Sequence, residues 1–336
     1  MEIFKPEPPE RVVAYFNPGS THRIAAEEYI DYLISNRILD GLPIIKLPTE
    51  RDQIAMNESL HANVLEGDVA ASFSGDGGTN SILEASRVHP LHPLLVIGAF
   101  GNANDIAKML HVGRYLEQPE LAILEGLAAK LYPLSVTAYP PGQDPVNIHA
   151  YAYWGCGTTG RMAVQYCHSE VREKLDKIGD KKLIGKFLRL YSEFNIARNE
   201  LHASQPLTFT DESGSRNLTE INYSNGKIES KVLRFPEELL RHEAVRLEVE
   251  RPTLPSAVAS FALAALHHIV ILDSKSTDRF KVNAAADFLT QADGQPKAFP
   301  SGTEFQVGLD EQFVYVYTTL RKYIREWQRQ QELLTT

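Results

Sequence analysis

The chain has 336 residues, of which 43% are hydrophobic and 23% charged, with a formal net charge of -9; this suits two ordinary globular domains of roughly 130 to 200 residues. The acidic balance argues against a general nucleic-acid binder, and two cysteines, Cys156 and Cys167, without a C-x-x-C pair argue against structural zinc and fit a reducing compartment. No signal peptide is evident and no apolar run reaches the roughly 18 residues of a membrane span, so a cytoplasmic protein is expected, with peripheral membrane contact and homo-oligomers left open.

Residues 1–10 read as a solvated, proline-containing arm. A buried strand over Arg11 to Phe16 ends in the turn Asn17-Pro18-Gly19-Ser20-Thr21. The following helix is expected to reach about Ile38, with Ile24, Tyr29, Ile30, Leu33 and Ile34 on one face. A second strand covers Leu42 to Leu47, and Thr49 is placed to cap the next helix. The third strand, Val69 to Phe73, runs into Ser74-Gly75-Asp76-Gly77-Gly78 and then a helical stretch with Ile82, Leu83 and Ala85 as apolar positions and Thr79 and Asn80 as caps. A fourth strand, Leu94 to Ile97, leads through Gly101, Asn102, Ala103, Asn104 and Asp105 into a helix ending at Leu110. Strands alternating with helices at this spacing predict a doubly wound, mainly parallel α/β sheet whose carboxyl edge binds ligands.

The pattern changes after about Lys130. Strands are expected at Leu131 to Tyr139 and Val146 to Trp154, joined through Pro140-Pro141-Gly142, then a long helix from about Ser169 to Phe194. Residues 195–250 are strand-like, Pro255 to Leu266 helical, and Val282 to Leu289, Glu304 to Leu309 and Phe313 to Thr318 read as closing strands before a tail helix from Leu320 to Gln331. The expected organisation is an α/β domain over 1–130 and a mainly antiparallel β domain with inserted helices over 131–336. A basic run from Lys174 to Arg189, diluted by Glu170, Glu173, Asp176 and Asp180, is either a solvated helix face or an anionic-membrane contact.

The chemistry concentrates in Ser74 to Asn80. Strand, glycine turn and helix bring backbone N–H groups close to a phosphate, and a Cβ would obstruct both the turn and the ligand. Gly-Asp-Gly-Gly is also ordinary turn chemistry, and neither a Walker loop nor a G-x-G-x-x-G fingerprint is present. Asp76 has no place in anion binding alone, but it fits a site that also manages a cation or a proton.

Several loops together resemble the diacylglycerol kinase catalytic family, which includes sphingosine kinases and bacterial lipid kinases and is related to NAD kinases. The family motif G-G-D-G-T-x-N-E-V lies without gaps on Ser74 to Ile82, with Gly75, Asp76, Gly77 and Asn80 matching. The motif threonine falls on Gly78, or on Thr79 after a one-residue shift. Asn17-Pro18-Gly19-Ser20 looks like the family's nucleotide loop, and Thr49 follows the second strand as a family threonine does. Gly101 to Lys108 resembles G-T-G/A-N-D-F-A-R, Gly155-Cys156-Gly157-Thr158 the glycine-rich opening of the second domain, and Asp293-Gly294-Gln295-Pro296 the D-G-E-P segment.

The resemblance implies an ATP- and Mg²⁺-dependent kinase acting on a hydroxyl of a lipid or lipid-like acceptor. Asn17, Thr49, Gly75, Gly77, Gly78, Thr79, Asn80, Gly101 and Asn104 would bind nucleotide. Asp76 would act through Mg²⁺ and water or as base, and Asp105 would join the metal-linked carboxylates or simply cap its helix. Gln295 replaces the family Glu and cannot take up a proton at neutral pH, although it can hydrogen-bond. Glu243 is the candidate for the family's second-domain acid. A nucleotide-binding protein without transfer, and a kinase for a soluble acceptor, are the rival readings.

Overall fold

The computed structural model describes residues 3–20, 22–39, 41–101, 104–167, 206–225, 244–250 and 276–320, with short pieces at 195, 199–200, 228–229, 233–234, 271–272, 324–325, 327–329 and 331–332. The chain divides into two compact units, one of residues 1–133, 228–232 and 310–336, the other of residues 134–227 and 233–309.

The first unit opens with β1 (Ile3–Phe4) and β2 (Arg11–Phe16). Val12, Val13, Ala14 and Tyr15 are all buried, as a strand covered on both faces requires. Helix α1 (Arg23–Asn36) buries Ala26, Ile30 and Leu33 and stops at Arg37 in the left-handed region, short of Ile38. Ile24 and Ile34, expected on the buried face, are 64% and 43% exposed. At about 100° per residue they fall about 200° and 100° away from Ala26 and Leu33 respectively.

Next come β3 (Ile44–Pro48) and α2 (Gln53–Asn63). The cap of α2 is Asp52, which accepts the N–H groups of Ile54 and Ala55, rather than Thr49. Thr49 sits too far before the helix and instead donates its N–H to the Phe16 carbonyl at 2.8 Å. Strand β4 (Asp68–Ser74) is buried throughout and feeds α3 (Asp76–Arg87). That helix begins at Asp76, so Gly77, Gly78, Thr79 and Asn80 belong to its first turns and Gly75 holds the cap position; Thr79 and Asn80 are not caps. Ile82, Leu83 and Ala85 are buried as the pattern predicts. Then follow β5 (Leu94–Ala99), α4 (Asp105–Leu110), α5 (Leu121–Glu125) and β6 (Leu127–Leu131).

The second unit is antiparallel. It contains β7 (Leu134–Tyr139), β8 (Val146–Ala150), β9 (Tyr153–Gly157), α6 (Thr158–Cys167), β10 (Leu207–Asp211), β11 (Gly214–Leu218) and β12 (Glu220–Ser224). Two-residue strands β13 (Ile228–Glu229), which belongs to the first unit, and β14 (Leu233–Arg234) precede β15 (Ala244–Val249), β16 (Ile271–Leu272), β17 (Asp278–Asn283), β18 (Phe288–Ala292), β19 (Gln295–Phe299) and β20 (Thr303–Leu309). The expected strand Val282 to Leu289 is therefore two strands with a turn between. Two six-stranded sheets result, β11-β10-β17-β20-β7-β8 and β16-β15-β12-β9-β18-β19. Their shared core centres on Trp154, whose ring lies 5.2 Å from Phe305 and 5.9 Å from Tyr223. The helices expected over 169–194 and 255–266, and Glu243, lie outside the described residues.

The chain then returns to the first unit. Strand β21 (Val314–Thr318), expected to close the second domain, instead pairs parallel with β5 and antiparallel with β6. It completes the sheet β1-β6-β21-β5-β4-β2-β3. Buried Val314, Val316 and Tyr317 fill a position that would otherwise leave two open sheet edges.

The end of β21 ties down the end of α4. Thr318 Oγ1 donates to the Leu110 carbonyl at 2.9 Å, and His111 Nδ1 lies 3.4 Å from Thr319 Oγ1. Burial of the His111 imidazole pushes its pKa from 6.5 down to about 4. The neutral ring is the folded form, so its contribution is complete above pH 6.5 and is lost as pH falls toward 4. The loss at pH 4 amounts to about 3 kcal/mol. Urea denaturation at pH 7 and pH 4 should show that loss, and His111→Gln should remove most of it; an unchanged pH dependence in the variant would assign the acid sensitivity elsewhere.

Candidate nucleotide site

The site lies at the carboxyl edge of the parallel strands of the first unit, where β2, β3, β4 and β5 end side by side. Two glycine loops meet there. A Cβ on Gly101 would lie 2.3 Å from the Gly75 Cα, so the backbones touch and neither position has room for a side chain. The Phe100 N–H donates to the Ser74 carbonyl at 3.2 Å beside this contact. Asn104 fixes the second loop from a left-handed conformation, φ 55°. Its Oδ1 accepts the Gly101 N–H and its Nδ2 donates to the Gly101 carbonyl, both at 2.6 Å.

Asp76 joins the loops. Its Oδ1 accepts the Ile106 N–H at 3.2 Å, and the carboxylate also takes the N–H groups of Asn104 and Asp105. Asp76 is thus the cap of α4, which neither Asn104 nor Asp105 caps with its own side chain. Burial raises the Asp76 pKa above the usual carboxylate value, opposed by these N–H groups and by Lys108. Asp105, the first residue of α4, is buried, with the Lys108 ammonium 3.8 Å away.

The remaining residues surround this pair. Asn17 Oδ1 accepts the Gly19 N–H at 2.8 Å, and the Asn17 Cβ lies 3.2 Å from where a Gly78 Cβ would be. Thr49 is buried at the end of β3. The first helical hydrogen bond of α3 runs from the Thr79 N–H to the Gly75 carbonyl at 3.0 Å. The N–H groups of Asp76, Gly77 and Gly78 precede it, at the positive end of a 12-residue helix. Asn17, Thr49, Gly75 to Asn80, Gly101, Asn104 and Asp105 therefore share one edge of the sheet. Asn102 and Ala103 lie outside the described residues.

The crystal structure of a diacylglycerol kinase from Bacillus anthracis str. Sterne superposes with a TM-score of 0.60 at 14% identity, covering 94% of this chain and 99% of that one. The chain has the fold of the diacylglycerol kinases. Yeast NADH kinase complexed with NADH gives a TM-score of 0.48 at 13% identity over 94% of this chain and 86% of that one. No protein-family model and no curated protein matches the sequence.

In the second unit of this diacylglycerol kinase fold, Asp293 is buried and accepts the N–H groups of Tyr151, Ala152 and Tyr153 at 2.7, 2.9 and 3.0 Å. It holds a loop, while Gln295 starts β19 with its side chain exposed. Two further features lie outside the motifs that the sequence displays. One is Glu220, a buried acid whose Oε2 accepts the Thr159 N–H at 2.9 Å. Its signal is the alternation Glu220, Asn222, Ser224, which faces the glycine-rich strand. The other is the buried hydroxyl cluster of Ser72, Ser74 and Thr79 beneath the glycine turn.

A side chain at Gly101 should force the two loops apart. Gly101→Ala is expected to cost about 1 to 3 kcal/mol in chemical denaturation, and a variant as stable as the parent would show that the loops do not touch in solution.

Proposed function

We propose that the chain is a kinase that transfers the γ-phosphoryl group of ATP to a hydroxyl of a lipid or lipid-like alcohol. The observation that carries this reading is Asp76, held beside Asp105 within a glycine turn and fixed by the N-terminus of α4. The glycine contact leaves backbone where side chains would exclude a polyphosphate, and the early N–H groups of α3 offer donors to its oxygens. Among the described residues no group of three or more His, Cys, Asp or Glu is placed to hold a metal. One or two carboxylates nevertheless suffice for Mg²⁺, which completes its shell with phosphate oxygens and water. Asp76 and Asp105 would hold it, and the ion would supply charge neutralisation on the triphosphate when bound.

The residues themselves do positioning and proton work. Gly77 and Gly78 orient the phosphates, and Asn17 and Thr49 line neighbouring strand ends. Asp76 would act either through the cation and its water or, free of the cation, as the group that receives the acceptor hydroxyl's proton. The amide of Gln295 stands where the resemblance expects a carboxylate, and it can hydrogen-bond but cannot take up a proton. The amide at 295 favours a second reading, a nucleotide-binding protein without transfer.

Incubation with γ-labelled ATP and Mg²⁺ against diacylglycerol, sphingoid bases and NAD separates the readings. Label should appear in a lipid acceptor, and Asp76→Asn should lower the rate on the order of 10²- to 10⁴-fold. A thermal shift with ADP and no labelled product would favour the second reading. Label in NAD alone would assign a soluble acceptor, and full activity in Asp76→Asn would remove that residue from the chemistry.

A further inference from the structure

Helix α3 carries a glycine at position 78 that its backbone does not require. Only glycines at positive φ need that residue for conformation, and Gly78 is not among them. A glycine inside a helix costs about 1 kcal/mol relative to alanine, so the reason lies in space. A Cβ on Gly78 would stand 2.8 Å from Ser74 Oγ, 3.0 Å from Ser74 Cβ and 3.2 Å from Asn17 Cβ.

The group it would strike is a member of a buried hydroxyl triangle. Ser72 Oγ lies 2.8 Å from Ser74 Oγ and 2.9 Å from Thr79 Oγ1, and Ser74 Oγ lies 3.3 Å from Thr79 Oγ1. All three residues are 1% exposed. Ser74 Oγ is also 3.3 Å from the Gly75 carbonyl, the acceptor of the Thr79 N–H. The triangle therefore grips both ends of the first hydrogen bond of α3. That bond sets the direction of the N–H groups of Gly77 and Gly78. Moving Ser74 Oγ by a few tenths of an ångström cannot be done locally, because the hydroxyl is shared.

We propose that Ser74 is a positioning residue of the nucleotide site and forms a sterically exclusive pair with Gly78, so that the strand end or the first turn, but not both, can carry a side chain. This rests on the nucleotide reading above. The role is indirect: Ser74 aims the backbone donors through the Gly75–Thr79 bond.

ADP with Mg²⁺ serves as probe, with affinity measured by calorimetry and folding by thermal unfolding. Ser74→Ala removes the hydroxyl and keeps the Cβ; it should weaken ADP about tenfold while the melting midpoint stays within a few degrees of the parent. Gly78→Ser should weaken ADP at least tenfold, and Ser74→Gly about tenfold. Ser74→Gly combined with Gly78→Ser moves the hydroxyl from strand to helix and should return affinity to within threefold of the parent. A double variant as weak as the product of the two single losses overturns the exclusive pair. A Ser74→Ala variant with lowered midpoint and intact affinity overturns the positioning role. If the parent binds no ADP, the nucleotide reading and the positioning role fall together, and the melting midpoints of the same four proteins still decide the steric exchange: additive midpoint losses overturn it.

Discussion

The contact between Gly75 and Gly101 is the constraint on which the site depends. Two strand-end loops approach until the Gly75 Cα lies 2.3 Å from where a Gly101 Cβ would stand. Only at that separation does the Asp76 carboxylate reach the first N–H groups of α4. A side chain at either glycine would lengthen the span and leave the N-terminus of α4 without its cap. The buried end of a short helix would then hold unsatisfied donors. The acid in the turn and the glycines around it thus answer one geometric requirement, and any chemical role of Asp76 is added to that requirement.

The parallel strands β2 to β5 of the first unit are legible in the sequence because they are short, mostly apolar and separated by helices. The carboxyl-edge residues follow from the strand ends, since Asn17, Thr49 and Gly75 come directly after a strand and Gly101 one residue later. What sequence does not display is the use made of each residue. Thr49 has the chemistry of a cap and sits close to a helix, but Asp52 is nearer and takes the N–H groups. Asp105 likewise looks like a cap, and the cap arrives from Asp76, distant in sequence. Local propensity names residues able to cap; tertiary contacts decide which one does.

The same division explains the second unit. The β7–β8 hairpin is readable from Pro140-Pro141-Gly142, whereas the tight turn of Asp293 at φ 47° and Gly294 at φ 82° between β18 and β19 is not read as a hairpin from the sequence. The three N–H bonds to Asp293 come from a loop far upstream and leave no local trace. Strand β21 is equally hidden: alternating valine and tyrosine predicts a strand, but nothing local says that it crosses back to the first unit between β5 and β6. Long-range pairing is set by which edges remain open once the other strands are placed.

Charge balance at the carboxyl edge bears on the metal. Asp76 and Asp105 contribute two carboxylates, and Lys108, 3.8 Å from Asp105, contributes one ammonium. The positive ends of α3 and α4 add partial charge, but the α4 end is already engaged by Asp76. Among these described residues, a polyphosphate brought to the glycine cradle would therefore meet one lysine and one helix end against two acids. Burial already disfavours the ionised form of Asp76, and further negative charge would disfavour it more. In the kinase reading, Asp76 and Asp105 would hold a divalent cation whose charge would offset that repulsion and favour the ionised carboxylates. The residues that give the site its rigidity are thus the ones that the kinase reading assigns to the cation.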